Sequence, residues 1–73
     1  MTPREIATHR IETELKQIPT SMLPINVSER ACMAAFLAEE LSAITIQERD
    51  EFTKRIRAAE MVRYLELLKG EVA

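Results

Sequence analysis

The last predicted helix carries two apolar stripes, and it can turn only one of them toward the core of its own chain. At about 100° per residue, the first stripe falls within about a quarter of the helix circumference; it consists of Phe52, Ile56, Ala59 and Leu67. The second stripe has i, i+3, i+4, i+7 spacing and lies on a different side; it consists of Met61, Tyr64, Leu65 and Leu68. Apolar residues on two sides of one helix indicate two partners. We expect the second partner to be another copy of this chain.

The chain has few means of stabilising itself apart from helix packing. A chain of 73 residues makes one domain and buries only about 60% of its unfolded surface. A single cysteine, Cys32, excludes an intrachain disulfide, and a single histidine, His9, adds nothing toward a zinc site. The hydrophobic fraction of 47% argues against disorder. Oligomerisation is therefore a natural source of further stability.

The charge and hydropathy patterns favour neither nucleic acid nor a membrane as a partner. The net charge of −2 comes from 10 basic and 12 acidic residues, and the two signs are interspersed. No long-range field therefore favours DNA or acidic lipid. No apolar run approaches the roughly 20 residues that span a bilayer, and the first residues show no signal-peptide pattern. We expect a cytoplasmic protein without a membrane partner.

Three helices are predicted, over about residues 3–18, 28–43 and 46–69. The first and third each begin with a capping box, Thr2 to Glu5 and Thr45 to Glu48, in which a threonine precedes a glutamate by three positions. For the second helix, Asn26 and Ser28 are equally good caps. Pro19 ends the first helix, and Gly70 suits the left-handed position after the third. The predicted fold is an all-α, three-helix domain with a long C-terminal helix, packed as a helical homodimer.

The connector at residues 19–27 is unusually apolar for a linker. It contains two prolines and four large apolar residues, Met22, Leu23, Ile25 and Val27. Because a flexible linker would be polar, we expect this segment to be ordered and to fold down as a lid over one end of the bundle.

The second predicted helix presents a face of small residues. Ala31, Ala34, Ala35 and Ala38 line one side, and Leu37, Leu41 and Ile44 flank them. Small side chains allow a neighbouring helix to approach closely. Phe36 projects nearly opposite this face, so we predict a partner interface made of Phe36, Met61, Tyr64, Leu65 and Leu68. The alternative is that these residues are ordinary core in a short chain.

Nothing in the sequence indicates catalysis or a bound cofactor. His9 has Glu5 and Glu12 one turn away, but no nucleophile motif accompanies it, and a single glycine excludes a phosphate-binding loop. Acidic residues such as Glu39 and Glu40 lack a histidine at metal-binding spacing, and Cys32 is best interpreted as a small packing residue. We predict no catalytic, metal or cofactor site.

Basic residues of the third helix are the candidates for nucleic-acid binding: Arg49, Lys54, Arg55, Arg57 and, further on, Arg63. Acidic residues on the same helix dilute them, whereas a recognition helix normally belongs to a more basic surface. A helix-turn-helix over residues 38–57 would lack the frequent turn glycine. Nucleic-acid binding is therefore the alternative to our main prediction.

The main functional prediction is a non-catalytic protein–protein interaction module. Its partners would be a second copy of the chain and a larger protein, on which it would act as an adaptor, an inhibitor or a regulatory accessory protein. By analogy, such small helical proteins suit gene-dense genomes such as those of phages or plasmids. The alternative prediction is a nucleic-acid-binding accessory factor or transcription regulator.

Overall fold

The computed structural model describes residues 1–70 and shows three α-helices. They are α1, Pro3–Gln17, α2, Pro24–Glu40, and α3, Ile46–Leu68, with one 3₁₀ turn, Ile18–Thr20, directly after α1. Residues 1–70 contain no strand, so the predicted all-α class is confirmed. The longest helix is α3, with 23 residues.

Both predicted capping boxes form. The Thr2 and Thr45 hydroxyls each accept a backbone hydrogen bond at 3.1 Å, from the amides of Glu5 and Glu48. In return, the two glutamate side chains accept hydrogen bonds from the backbone amides of the threonines at 2.9 and 2.8 Å. Gly70 has a φ of +68°, which is the left-handed conformation predicted after α3.

The predicted start of α2 is wrong by four residues. The helix begins at Pro24, not at residue 28, and neither Asn26 nor Ser28 caps it. Pro24 occupies the first helical position, where its fixed φ suits the helix and its missing amide proton costs nothing. The Ser21 hydroxyl instead accepts a hydrogen bond from the Leu23 amide at 3.0 Å, just before the helix.

The predicted end of α2 at residue 43 is also wrong, because the helix ends at Glu40. Ser42 adopts a φ of +60°, and the Ala43 amide donates to the Ala38 carbonyl at 2.8 Å. The Ser42 amide donates to the Glu39 carbonyl at 2.9 Å, which completes a Schellman motif. A serine takes the left-handed position where glycine is usual, and for that reason the sequence pattern did not reveal this helix end.

The connector is shorter and more open than the predicted lid. The 3₁₀ turn and the start of α2 leave only residues 21–23 outside helical structure. Val27 is buried within the first turns of α2, but Met22, Leu23 and Ile25 are exposed. The lid prediction therefore fails for three of its four side chains.

The helices enclose a thin core with α2 at its centre. α2 packs along both other helices, whereas α1 and α3 meet over a smaller area. Ion pairs from Arg4 to Glu48 and from Glu12 to Arg55 also join α1 to α3. The buried apolar residues are Ile11, Ile18, Val27, Ala31, Ala35, Ala38, Ile44, Phe52 and Ile56. Because α2 contributes mainly alanines, the helices approach closely but bury few large side chains.

Candidate protein-interaction surfaces

The second stripe of α3 faces away from the core. Met61, Tyr64, Leu65 and Leu68 have exposed fractions of 58%, 43%, 44% and 65%. The first stripe points inward, with Phe52 and Ile56 buried and Ala59 and Leu67 half-buried. Within residues 1–70, the second stripe therefore takes no part in the buried core.

The exposed stripe continues onto the connector. Tyr64 and Leu68 line a cleft of about 340 Å³ together with Met22, Leu23 and Ile25. Met22, Leu23 and Ile25 are three of the four side chains that the lid prediction placed over the bundle. We call the combined area the terminal surface; it comprises Met22, Leu23, Ile25, Met61, Tyr64, Leu65 and Leu68.

A buried arginine holds the connector against α3. Arg63 is only 9% exposed, and its Nε donates a hydrogen bond to the Ser21 carbonyl oxygen at 2.8 Å. Its Nη2 lies 3.8 Å from the Met22 sulfur, and its Nη1 lies 3.5 Å from a Glu66 carboxylate oxygen. Sequence reasoning counted Arg63 among the basic residues and missed this positioning role. The sequence signal for this role was that Arg63 falls on the same side of the helix as Phe52 and Ile56.

Phe36 is exposed as predicted from its helix position, but it lies apart from the second stripe. The Arg49 guanidinium carbon is 4.8 Å from the centroid of the Phe36 ring, which places Phe36 beside the beginning of α3. Tyr64 lies 15 residues after Arg49, or about 22 Å along the helix axis. Phe36 therefore does not join the terminal surface, and it instead borders a shallow depression with Met33 and Leu37.

Of the five basic candidates for nucleic-acid binding, Arg63 is buried and lies near Glu66 as described above, and two others also have carboxylate partners. Arg49 pairs with Glu39 at 2.9 Å, and it also contacts the neighbouring aspartate. Arg55 holds both carboxylate oxygens of Glu12, at 2.6 and 3.3 Å. This hydrogen bonding lowers the pKa of Glu12 and raises that of Arg55.

The other two basic candidates, Lys54 and Arg57, are exposed, and neither takes part in an ion pair within residues 1–70. The structure thus leaves a smaller free basic area than the sequence suggested. A phosphate would have to compete with protein carboxylates at Arg49 and Arg55.

A second apolar surface lies between α1 and α2, and sequence reasoning missed it. This α1–α2 groove has a volume of about 650 Å³, and its walls include Ile6, Met33, Leu37 and Leu41. The last two flank the alanine face of α2 in the sequence, and they are 51% and 79% exposed. The i, i+4, i+8 spacing of Met33, Leu37 and Leu41 was the sequence signal for a third stripe.

Two arginines border the α1–α2 groove and share one carboxylate. Glu14 is buried, and its Oε2 lies 3.2 Å from Arg30 Nε while its Oε1 lies 3.7 Å from Arg10 Nη2. Arg30 also donates to the Gln17 side-chain oxygen at 3.4 Å. Both arginine side chains are otherwise open to solvent, at 68% and 55% exposed for Arg10 and Arg30.

The residues weighed for catalysis are dispersed. His9 is exposed on α1, and Cys32 is half-buried, where desolvation raises the pKa of its thiol. Among the described residues, no group of three or more acidic, cysteine or histidine side chains is arranged to hold a metal ion. Residues 1–70 also contain no helix with the length and apolar character needed to cross a membrane.

No protein-family model, curated protein or solved structure matches this chain.

Proposed function

We propose that this protein is a non-catalytic protein–protein interaction module that self-associates through the terminal surface and presents its remaining surface to a larger protein. In that role it acts as an adaptor, an inhibitor or a regulatory accessory protein. A reducing, cytoplasmic setting suits a chain whose single cysteine has no disulfide partner within it.

The exposure of the second stripe of α3 is the observation that carries the proposal. Leu65 and Leu68 turn away from the only core that the described residues form, yet their spacing is that of a packed helix face. Across the described chain, more large apolar side chains are exposed than buried. A contiguous apolar area of this kind marks an interaction site in a soluble protein.

A second copy of this chain is the simplest occupant of the terminal surface. A two-fold axis beside Leu65 would bring the same apolar surface of two chains together, which is how most homodimers form. The exposed positions of the second stripe are all uncharged, so a copy placed there would bury no unpaired charge from it. Burial of this surface would add to the thin core of each chain, which supports a dimer as the stable form.

The test is solution mass by light scattering over a concentration series, for the wild type and for Leu65→Glu and Leu68→Glu. We expect a dimer of about twice the chain mass of 8.4 kDa for the wild type. We expect folded monomers for both variants, because each places a carboxylate at the centre of an apolar interface. Circular dichroism then shows whether each variant keeps its helices.

Leu37→Glu is the matched control, because it introduces the same charge at a comparably exposed leucine on the α1–α2 groove. We expect this variant to remain dimeric. A stable dimer in both Leu65→Glu and Leu68→Glu, or a monomeric wild type across the whole concentration series, would contradict the proposed interface.

Nucleic-acid binding remains the alternative prediction, and Lys54 and Arg57 are the residues that carry it. Retention on a heparin or DNA column distinguishes the two functions. Phosphate binding weakens steeply with salt because it releases counterions, whereas contact between apolar faces changes little. Salt-sensitive retention that is lost in a Lys54→Gln, Arg57→Gln double variant would favour the alternative.

A further inference from the structure

We propose that the α1–α2 groove is the site where this module binds its larger partner, and that the bound element is an amphipathic helix with acidic residues at one end of its apolar face. This inference rests on the proposed function only in that the protein binds another protein. It concerns a different surface from the terminal surface, and it does not require a dimer.

The shape of the groove favours a helix as its occupant. Met33, Leu37 and Leu41 form one row along α2 and onto its C-terminal cap; the row spans about 12 Å, or about two helical turns. Ile6 stands on the opposite wall, on α1, and the lining between the walls consists largely of alanines at positions 7, 34, 38 and 43. Small residues between this row and Ile6 leave a channel that can receive apolar side chains at i, i+3, i+4 and i+7 of a docked helix.

The charge of the groove favours an acidic partner. Arg10 and Arg30 are the only charged residues among the described groove-lining residues. Their one shared carboxylate, Glu14, neutralises a single guanidinium charge, which leaves one positive charge in excess at this place. Guanidinium groups present several hydrogen-bond donors in a fixed plane, and carboxylates are their best acceptors.

The two features lie in a defined order along the groove. Arg30 precedes Met33 by about one helical turn, whereas Leu41 lies at the other end of the row. The acidic residues of the partner should therefore cluster at one end of its apolar stripe rather than along its whole length. This order distinguishes the proposed ligand from a generic amphipathic helix.

A second copy of this chain is a poorer occupant. In a symmetric dimer the same surface meets itself, so two arginine pairs with two shared carboxylates would enter one interface. The excess positive charge would then double within a partly desolvated space, and like charges disfavour such an association.

The experiment uses a displayed library of helical peptides of about 16 residues, a length at which helices become stable enough to present one face. The apolar stripe is varied among leucine, isoleucine, methionine and phenylalanine, and the positions at each end of it are varied among glutamate, glutamine and lysine. Peptides are selected on the wild-type protein and counter-selected on Leu37→Glu. Dissociation constants are then measured for the most enriched peptide and for its glutamine and lysine versions.

We expect glutamate to be enriched at one end of the stripe and the lysine version to bind about tenfold more weakly than the glutamate version. Arg10→Gln should remove most of this tenfold preference, because Glu14 neutralises the one guanidinium that remains, that of Arg30. Lys16→Gln is the matched control, because it removes the same charge from an exposed position on α1 outside the groove. It should leave the preference unchanged.

Three results would overturn the inference: no enriched peptide, equal binding to Leu37→Glu, or equal binding of the glutamate and lysine versions. A wild-type dimer that Leu37→Glu converts to a monomer would assign the groove to a second copy, and it would also overturn the inference. Leu65→Glu separates the two proposals, because it should lose the dimer and still bind the selected peptide.

Discussion

Replacement of the buried arginine of α3 tests how the connector is held in place. We expect Arg63→Met to lower the free energy of unfolding by about 1–2 kcal/mol. The hydrogen bond from Arg63 Nε to the Ser21 carbonyl, at 2.8 Å, belongs to the charged class that contributes about 1.5–3 kcal/mol. The contact with Glu66 at 3.5 Å adds little, since that carboxylate is 46% exposed. Methionine keeps the apolar packing of the arginine stem. Removing a partly desolvated charge also offsets part of the stability lost with the hydrogen bond.

The assay is urea unfolding followed by circular dichroism, at one fixed protein concentration because self-association would change apparent stability. For a domain of this size the slope is about 1 kcal/mol per molar urea, so the midpoint should fall by about 1–2 M. Arg57→Met removes an exposed arginine from the same helix, and it should change stability by no more than about 0.5 kcal/mol. If Arg63→Met were as stable as Arg57→Met, the hydrogen bond to Ser21 would not hold the connector.

Three further predictions follow from local features of the structure. Ser42→Gly should raise the free energy of unfolding by about 0.5–1 kcal/mol in thermal melts, because Ser42 has a φ of +60°, which glycine adopts with less strain; an unchanged or lower stability would contradict this reasoning. Since burial raises the pKa of the Cys32 thiol, iodoacetamide at mildly alkaline pH should react more slowly with the folded chain than with the chain in urea, and equal rates would be inconsistent with that burial. The hydrogen bond from Arg55 lowers the pKa of Glu12 below its ordinary value of 4.5. The stability that this ion pair contributes is therefore fully present above pH 4.5, and it is lost as the pH falls through the lower pKa of the folded state. Glu12→Gln should therefore be a few tenths of a kcal/mol less stable than the wild type at pH 7 and equally stable in strong acid, and a difference that persists in acid would refute the assignment.

Local signals in the sequence were sufficient to predict the all-α class and the caps of α1 and α3. A threonine and a glutamate three positions apart satisfy each other's backbone amides whatever the rest of the chain does. The orientation of the two α3 stripes could also be predicted, because the angle between Ile56 and Leu65 depends only on helix geometry. These features involve residues within a few positions of each other along the chain.

Tertiary structure decided which exposed surfaces exist and how they are charged. The α1–α2 groove requires Ile6 on one helix and Leu37 on another to face each other across a row of alanines. The sharing of Glu14 by Arg10 and Arg30 also joins residues from two helices, as does the bond from Arg63 to Ser21. Helix periodicity gives the direction in which a side chain points around the helix axis, but it does not show which neighbouring helix lies in that direction. The sequence therefore placed Leu37 and Leu41 beside the alanine face of α2, and only helix packing shows that they form the wall of a groove.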